Sequence, residues 1–259
     1  ILLFSTLLTV LSSSCKNDNC NDPIAFNYDP DGTSIESCIY EPKKATMLVN
    51  ARFGEQDISL NDTLEIDGRT LLFSYYGMYL SNISFREGEE YKQWSDDVML
   101  LRNGENTLES IYLNRHTIDG IRFDVGVDTN LYNDDPMDTN AGPTSSPLSL
   151  KTPSMYWGWA GGYRFISLEG MVDTSAAKDK SGMAHFEFHA GLPNNLKTVT
   201  FDKSIEASFG NELRVDLTVQ LDSLLQGIDF QKTDLVIHIG DHLTTVKVMN
   251  NAVDAFKIN

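Results

Sequence analysis

Residues 184–191 read Ala184-His185-Phe186-Glu187-Phe188-His189-Ala190-Gly191. Side chains on an extended strand alternate between its two faces. His185, Glu187 and His189 therefore share one face, and Phe186 and Phe188 take the other. An aromatic face opposite a polar one describes a strand lying over a core.

Similar short apolar runs recur on either side. They cover residues 47–53, 71–73, 78–85, 98–101, 120–127, 163–170, 196–201, 213–221 and 235–239, separated by Gly, Asn and Asp turns. Strands at this spacing predict an all-β protein, an antiparallel β-sandwich. Helix is expected only near the C-terminus, over residues 245–256, where Val246, Met249, Val253 and Phe256 fall at helical spacing. The stretch from 128 to 154 is long and polar, a length usually tied to function or disorder.

The chain has 259 residues, 20 basic against 37 acidic, for a net charge of -17. Such acidity argues against nucleic acid or anionic lipid surfaces as partners, since both demand compensating cations. Residues 1–11 form an apolar run too short for a membrane span, which needs about 20 residues, but suited to the core of an export signal. Ser12-Ser13-Ser14-Cys15 follows and resembles a bacterial lipobox, with Cys15 as the lipidated residue. Three cysteines are an odd number for an exported chain. If Cys15 carries lipid, Cys20 and Cys38 remain as a disulfide pair. The segment between them is rich in Asn, Asp, Pro and Gly and resembles a cysteine-bounded repeat of exported Bacteroidetes-type proteins. The expected organisation is a signal remnant over 1–14, a lipid-anchored and disulfide-closed spacer over 15–42, and a β-sandwich over 43–259. Its expected place is the outer membrane, facing periplasm or cell surface, with the bilayer contacted through the lipid alone.

Imidazole and carboxylate on one strand face are donors for copper, zinc or iron. His185 and His189 stand four residues apart, about 13 Å at about 3.3 Å per residue, so they do not chelate one ion directly. Co-ligands of His189 must come from neighbouring strands. His238, inside an apolar strand, reads most simply as a core-edge histidine, and Glu187 as a solvated charge. Trp157 and Trp159 lie in a glycine-rich phrase, Met155-Tyr156-Trp157-Gly158-Trp159-Ala160-Gly161-Gly162-Tyr163. Their simplest role is packing. No Gly-x-Ser-x-Gly, His-Glu-x-x-His, phosphate-loop or Cys-x-x-Cys pattern occurs, so no enzyme is expected.

Four phrases occur in an informative order: Tyr79-Leu80-Ser81-Asn82-Ile83, residues 121–128, the double-Trp phrase through Tyr163, and Phe188-His189-Ala190-Gly191. Together they resemble the copper-binding proteins of the methanobactin-associated MbnP type, from about residue 45 onward. That resemblance implies an exported β-sandwich that binds copper through histidines. It also implies a tryptophan oxidised to kynurenine by a partner diheme enzyme of the MauG type. His189 falls in the family's Phe-His-x-Gly phrase and is the foremost ligand; His185, by its spacing, is a reserve ligand or a bystander. Trp94, Trp157 and Trp159 are candidates for the oxidised residue. Where a branch of the family has Trp-x-His, this chain has Trp94-Ser95-Asp96, so Asp96 replaces the imidazole as a candidate ligand. The implied role is copper acquisition, buffering or delivery. The competing reading is a surface module for protein or glycan binding that has lost its metal.

Overall fold

The computed structural model describes residues 18–94, 98–105, 110–114, 117–129, 146–158, 161–206 and 212–259. Two sheets enclose one hydrophobic core. In the first, β1 (Lys43–Phe53) buries Ala45, Met47, Val49, Ala51 and Phe53 on alternate positions. The intervening residues face outward, as a half-buried strand requires. The second sheet contains β2 (Arg69–Glu87), β3 (Met99–Arg102), β4 (Gly120–Val125), β5 (Arg164–Asp173), β6 (Met183–Gly191) and β7 (Lys197–Phe201). β8 (Glu212–Gln220) returns to the first sheet beside β1, and β9 (Val236–Ile237) joins the second beside β6. β10 (Phe256–Ile258) completes the first sheet against β8.

The order across the second sheet is β7-β4-β2-β5-β6-β9. Most pairings are antiparallel, but β1 with β8 and β6 with β9 run parallel. Parallel neighbours need long crossovers, which the spacing of apolar runs does not reveal. The apolar runs at 71–73 and 78–85 belong to one strand, β2, rather than two. Its ladder is irregular twice, opposite Glu169/Gly170 and between Ser81 and Ser84. At the second irregularity Asn82 adopts φ 50°, a left-handed conformation that Asn tolerates better than most residues. Its amide Nδ2 donates to Asp124 Oδ2 at 2.7 Å and Asp128 Oδ2 at 2.9 Å.

The inner face of β6 supplies Phe186 and Phe188, both fully buried. Phe186 meets Phe73 edge-on with ring centroids 5.9 Å apart, and Phe188 stacks on Phe230 at 6.3 Å. Such aromatic pairs add about 0.5–1.5 kcal/mol beyond area burial.

α1 (Leu221–Leu224) is one turn, and α2 (Leu243–Ala255) packs near β6 and β7. The C-terminal helix is where the sequence places it, but its inward face differs. Thr245, Val248, Met249, Ala252 and Ala255 are buried, while Val253 is 41% exposed. Small Ala and Thr side chains let the helix seat closely, and a stripe chosen by large residues alone misses them. His242 caps this helix, its Nδ1 accepting from Thr244 N at 3.2 Å.

Ahead of β1, Cys20 and Cys38 form the expected disulfide. With Ala25 and Tyr40 they make a small apolar cluster of their own. Tyr40 donates its hydroxyl to Asp22 Oδ2 at 2.7 Å. No helix among the described residues is long and apolar enough to cross a membrane.

Candidate metal centre

The outer face of β6 presents His185, Glu187 and His189, with the aromatic core behind it. The sheet register decides what stands beside them. On β5, Ser167 lies opposite His189, Glu169 opposite Glu187, and Met171 opposite His185. β2 continues the rows with Gly77 beside Ser167 and Tyr75 beside Glu169. On the other side, β9 pairs Val236 with Glu187 and Ile237 with Phe188. Ile237 points inward and is buried, so alternation puts His238 on the outer face next to His189.

The two imidazoles stack, with centroids 4.5 Å apart and planes within 10°. His238 Nε2 contacts Glu187 Oε2. One donor atom from each of Glu187, His189 and His238 lies within 4.8 Å of the others, the group suited to a metal ion among the described residues. His189 is 2% exposed. Its Nε2 lies 2.8 Å from Glu169 Oε1, and its Nδ1 is buried with no hydrogen-bond partner. A buried ring nitrogen without a partner is costly in a finished core and fits a position awaiting an ion.

Trp157 stands over the end of this row. A Cβ added to Gly191 would come within 2.6 Å of its Cζ3, so glycine there lets the indole lie against the strand. Trp157, Gly158, Gly161, Leu192, His238, Ile239 and Gly240 line a cavity of about 510 Å³. His238 thus belongs both to the donor group and to the cavity wall. The segment carrying Trp157 is tied down on its N-terminal side. Tyr79 and Tyr163 donate their hydroxyls to Pro147 O at 3.2 Å and Leu148 O at 3.0 Å, and their rings meet edge-on. Burial pushes the Tyr75 hydroxyl up to about 12, so it is neutral at physiological pH.

Burial also holds His189 below its ordinary value of 6.5, against the opposing pull of the Glu169 hydrogen bond. Glu169 is held below 4.5, chiefly by the hydrogen bond from His189, with burial opposing. The pair is thus a neutral imidazole donating to an ionised carboxylate. As pH falls, the unfolded chain protonates His189 before the folded chain does. Stability from keeping this ring neutral is complete above 6.5 and declines below it, until the folded ring also protonates. Glu169 acts the same way lower down, losing its contribution as pH falls from 4.5 through its depressed folded value. His189→Gln is expected to flatten the fall in urea midpoint as the solution is acidified from neutrality. Parallel curves for the two proteins would contradict this.

The sequence-predicted residues divide clearly. His189 stands at the centre. His185 does not join the donor group: it is half exposed, with Nδ1 3.6 Å from the other oxygen of Glu187. Four residues along a strand carry it too far. Trp94 is buried edge-on against Phe85, with ring centroids 6.3 Å apart, and lines neither the donor group nor the cavity beside it. Asp96, Trp159 and Cys15 lie outside the described residues. His238 and Glu187, expected from the sequence as a core-edge histidine and a solvated charge, join the donor group instead. The available signal was the phase of Val236-Ile237-His238: one buried Ile between two outward positions.

Imidazole nitrogens with one carboxylate form a donor set for first-row transition metals, copper and zinc included. Among known proteins, the solved structure of MbnP from Methylosinus trichosporium is similar, at 16% identity and a TM-score of 0.49, covering 80% of this chain and 86% of that one. No curated protein matches the chain. Residues 42–243 match the family model described as MbnP, a span that contains every residue of the donor group. On that match, the protein belongs to the MbnP family.

Proposed function

We propose that this protein is a non-catalytic copper carrier whose ion is held by His189, His238 and Glu187. The observation that supports this most directly is the convergence of those three donors from two strands within 4.8 Å. The buried, unpartnered Nδ1 of His189 adds a second reason. The family resemblance supplies copper as the metal, and the donor chemistry is compatible with it. Trp157 shares its cavity with His238 and is the described tryptophan best placed for the oxidation to kynurenine that the resemblance implies. A MauG-type diheme enzyme is the corresponding partner. We place the protein outside the cytoplasm, tethered through lipid on Cys15, with the segment closed by Cys20 and Cys38 as a compact spacer. Acquisition, buffering or delivery of copper is the role.

Equilibrium dialysis against Cu(II) tests the reading. Wild type is expected to retain one ion per chain and His189→Ala to retain none at the same free concentration. Equal retention by both proteins would remove His189 as the ligand, and no retention by wild type would remove copper and leave a surface interaction module.

A further inference from the structure

A neutral imidazole has one N–H and one bare nitrogen, and the group that hydrogen-bonds one decides which is free. The two ring nitrogens of His189 lie in contrasting surroundings. Nε2 faces Glu169 Oε1 at 2.8 Å. That same oxygen also accepts the Ser167 hydroxyl at 3.1 Å. Ser167 and Glu169 both project from β5, and Ser167 is the direct cross-strand neighbour of His189. The carboxylate is therefore fixed in place by the strand opposite the histidine. Nδ1 has no partner at all. The ring is further held by its stack on His238, with planes within 10°. Glu187, the second carboxylate on this face, contacts His238 Nε2 instead.

We propose that Glu169 is a positioning residue: by accepting the Nε2 proton of His189, it fixes the tautomer whose bare Nδ1 is the donor to the ion. An ionised carboxylate can only accept, so this contact permits no other tautomer of the neutral ring. The two acids divide the work. Glu187 contributes a donor oxygen directly, and Glu169 acts through His189 without touching the ion. Carboxylates placed behind a ligating histidine orient the ring and raise its basicity. The inference rests on the copper reading above for the identity of the ion, but the tautomer itself is a property of the metal-free protein.

Two measurements on the full chain test it. In the metal-free protein, imidazole nitrogen NMR is expected to show His189 protonated at Nε2 and bare at Nδ1. Glu169→Ala is expected to give a mixture of tautomers. Glu169→Gln keeps the side-chain shape and an amide oxygen that can still accept, so it should retain much of the wild-type tautomer. With Cu(II) alone added, Glu169→Ala should weaken binding by about 10–100-fold. It should also alter the remote-nitrogen signal in pulsed EPR, while Glu169→Gln falls between it and wild type. A wild-type ring protonated at Nδ1, or an alanine variant with unchanged tautomer and affinity, would overturn the proposal. If wild type shows the expected tautomer yet takes up no Cu(II), the positioning stands and the copper reading falls.

Discussion

His238→Ala is expected to abolish copper retention, whereas His185→Ala leaves it near the wild-type level. The loss should exceed the about 10–100-fold that an outer partner such as Glu169 costs, because an imidazole donor itself disappears. The contrast between the two variants is informative, since both histidines stand near Glu187. His238 contacts one oxygen of Glu187 and stacks on His189. His185 lies 3.6 Å from the other oxygen and faces solvent. Titrating both variants with Cu(II), monitored by EPR and dialysis, decides the matter. Equal affinities, or a greater loss in His185→Ala, would move the site along β6 and away from β9. Folding should be unaffected in both, because neither ring contributes to the aromatic core.

Gly170→Ala is expected to be the most disruptive single-methyl change in the sheet. A Cβ there would lie 1.9 Å from Leu72 O and 3.0 Å from Phe186 Cε1. Leu72 O is backbone in the centre of the sheet, so no side-chain rotation relieves the clash. The position coincides with the irregular register between β5 and β2, opposite Glu169/Gly170. The cost should exceed the about 1–3 kcal/mol usual for overpacking a core. It would read as a fall in the chemical-denaturation midpoint or as failure to accumulate folded protein. Because this bulge sets the phase of Glu169 relative to Tyr75, residual folded protein should also bind copper poorly. A variant of unchanged midpoint would show that the bulge relaxes freely.

The sequence carries the strand content of this fold openly, because alternation over residues 184–190 and 213–219 leaves no helical alternative. The pairing of Cys20 with Cys38 is legible only on the premise that Cys15 is set aside for lipid, since three cysteines alone allow three pairings. The sequence hides β2, since Tyr75, Tyr76 and Gly77 look like an interruption although they run through the middle of the sheet. It also hides the parallel pairing of β6 with β9. Two adjacent pairs define that ladder, and no local pattern announces which distant strand an edge will accept. For this reason His189 is legible as a donor while its companion His238 is not. The inward stripe of α2 was obscured for a different reason: Ala252 and Ala255 pack by being small, and hydrophobic periodicity weights large residues.

β9 is held to the sheet by a short ladder, and it brings His238 from far along the chain to His189. An ion shared by those two rings would act as a rivet between a well-anchored strand and a lightly fastened margin. Because the rings already stack without an ion, its binding energy would add to the hold on that margin. Release of such an ion and loosening of that margin would then be one event, so a disturbance that peels the edge strand away would weaken the site without displacing every donor at once.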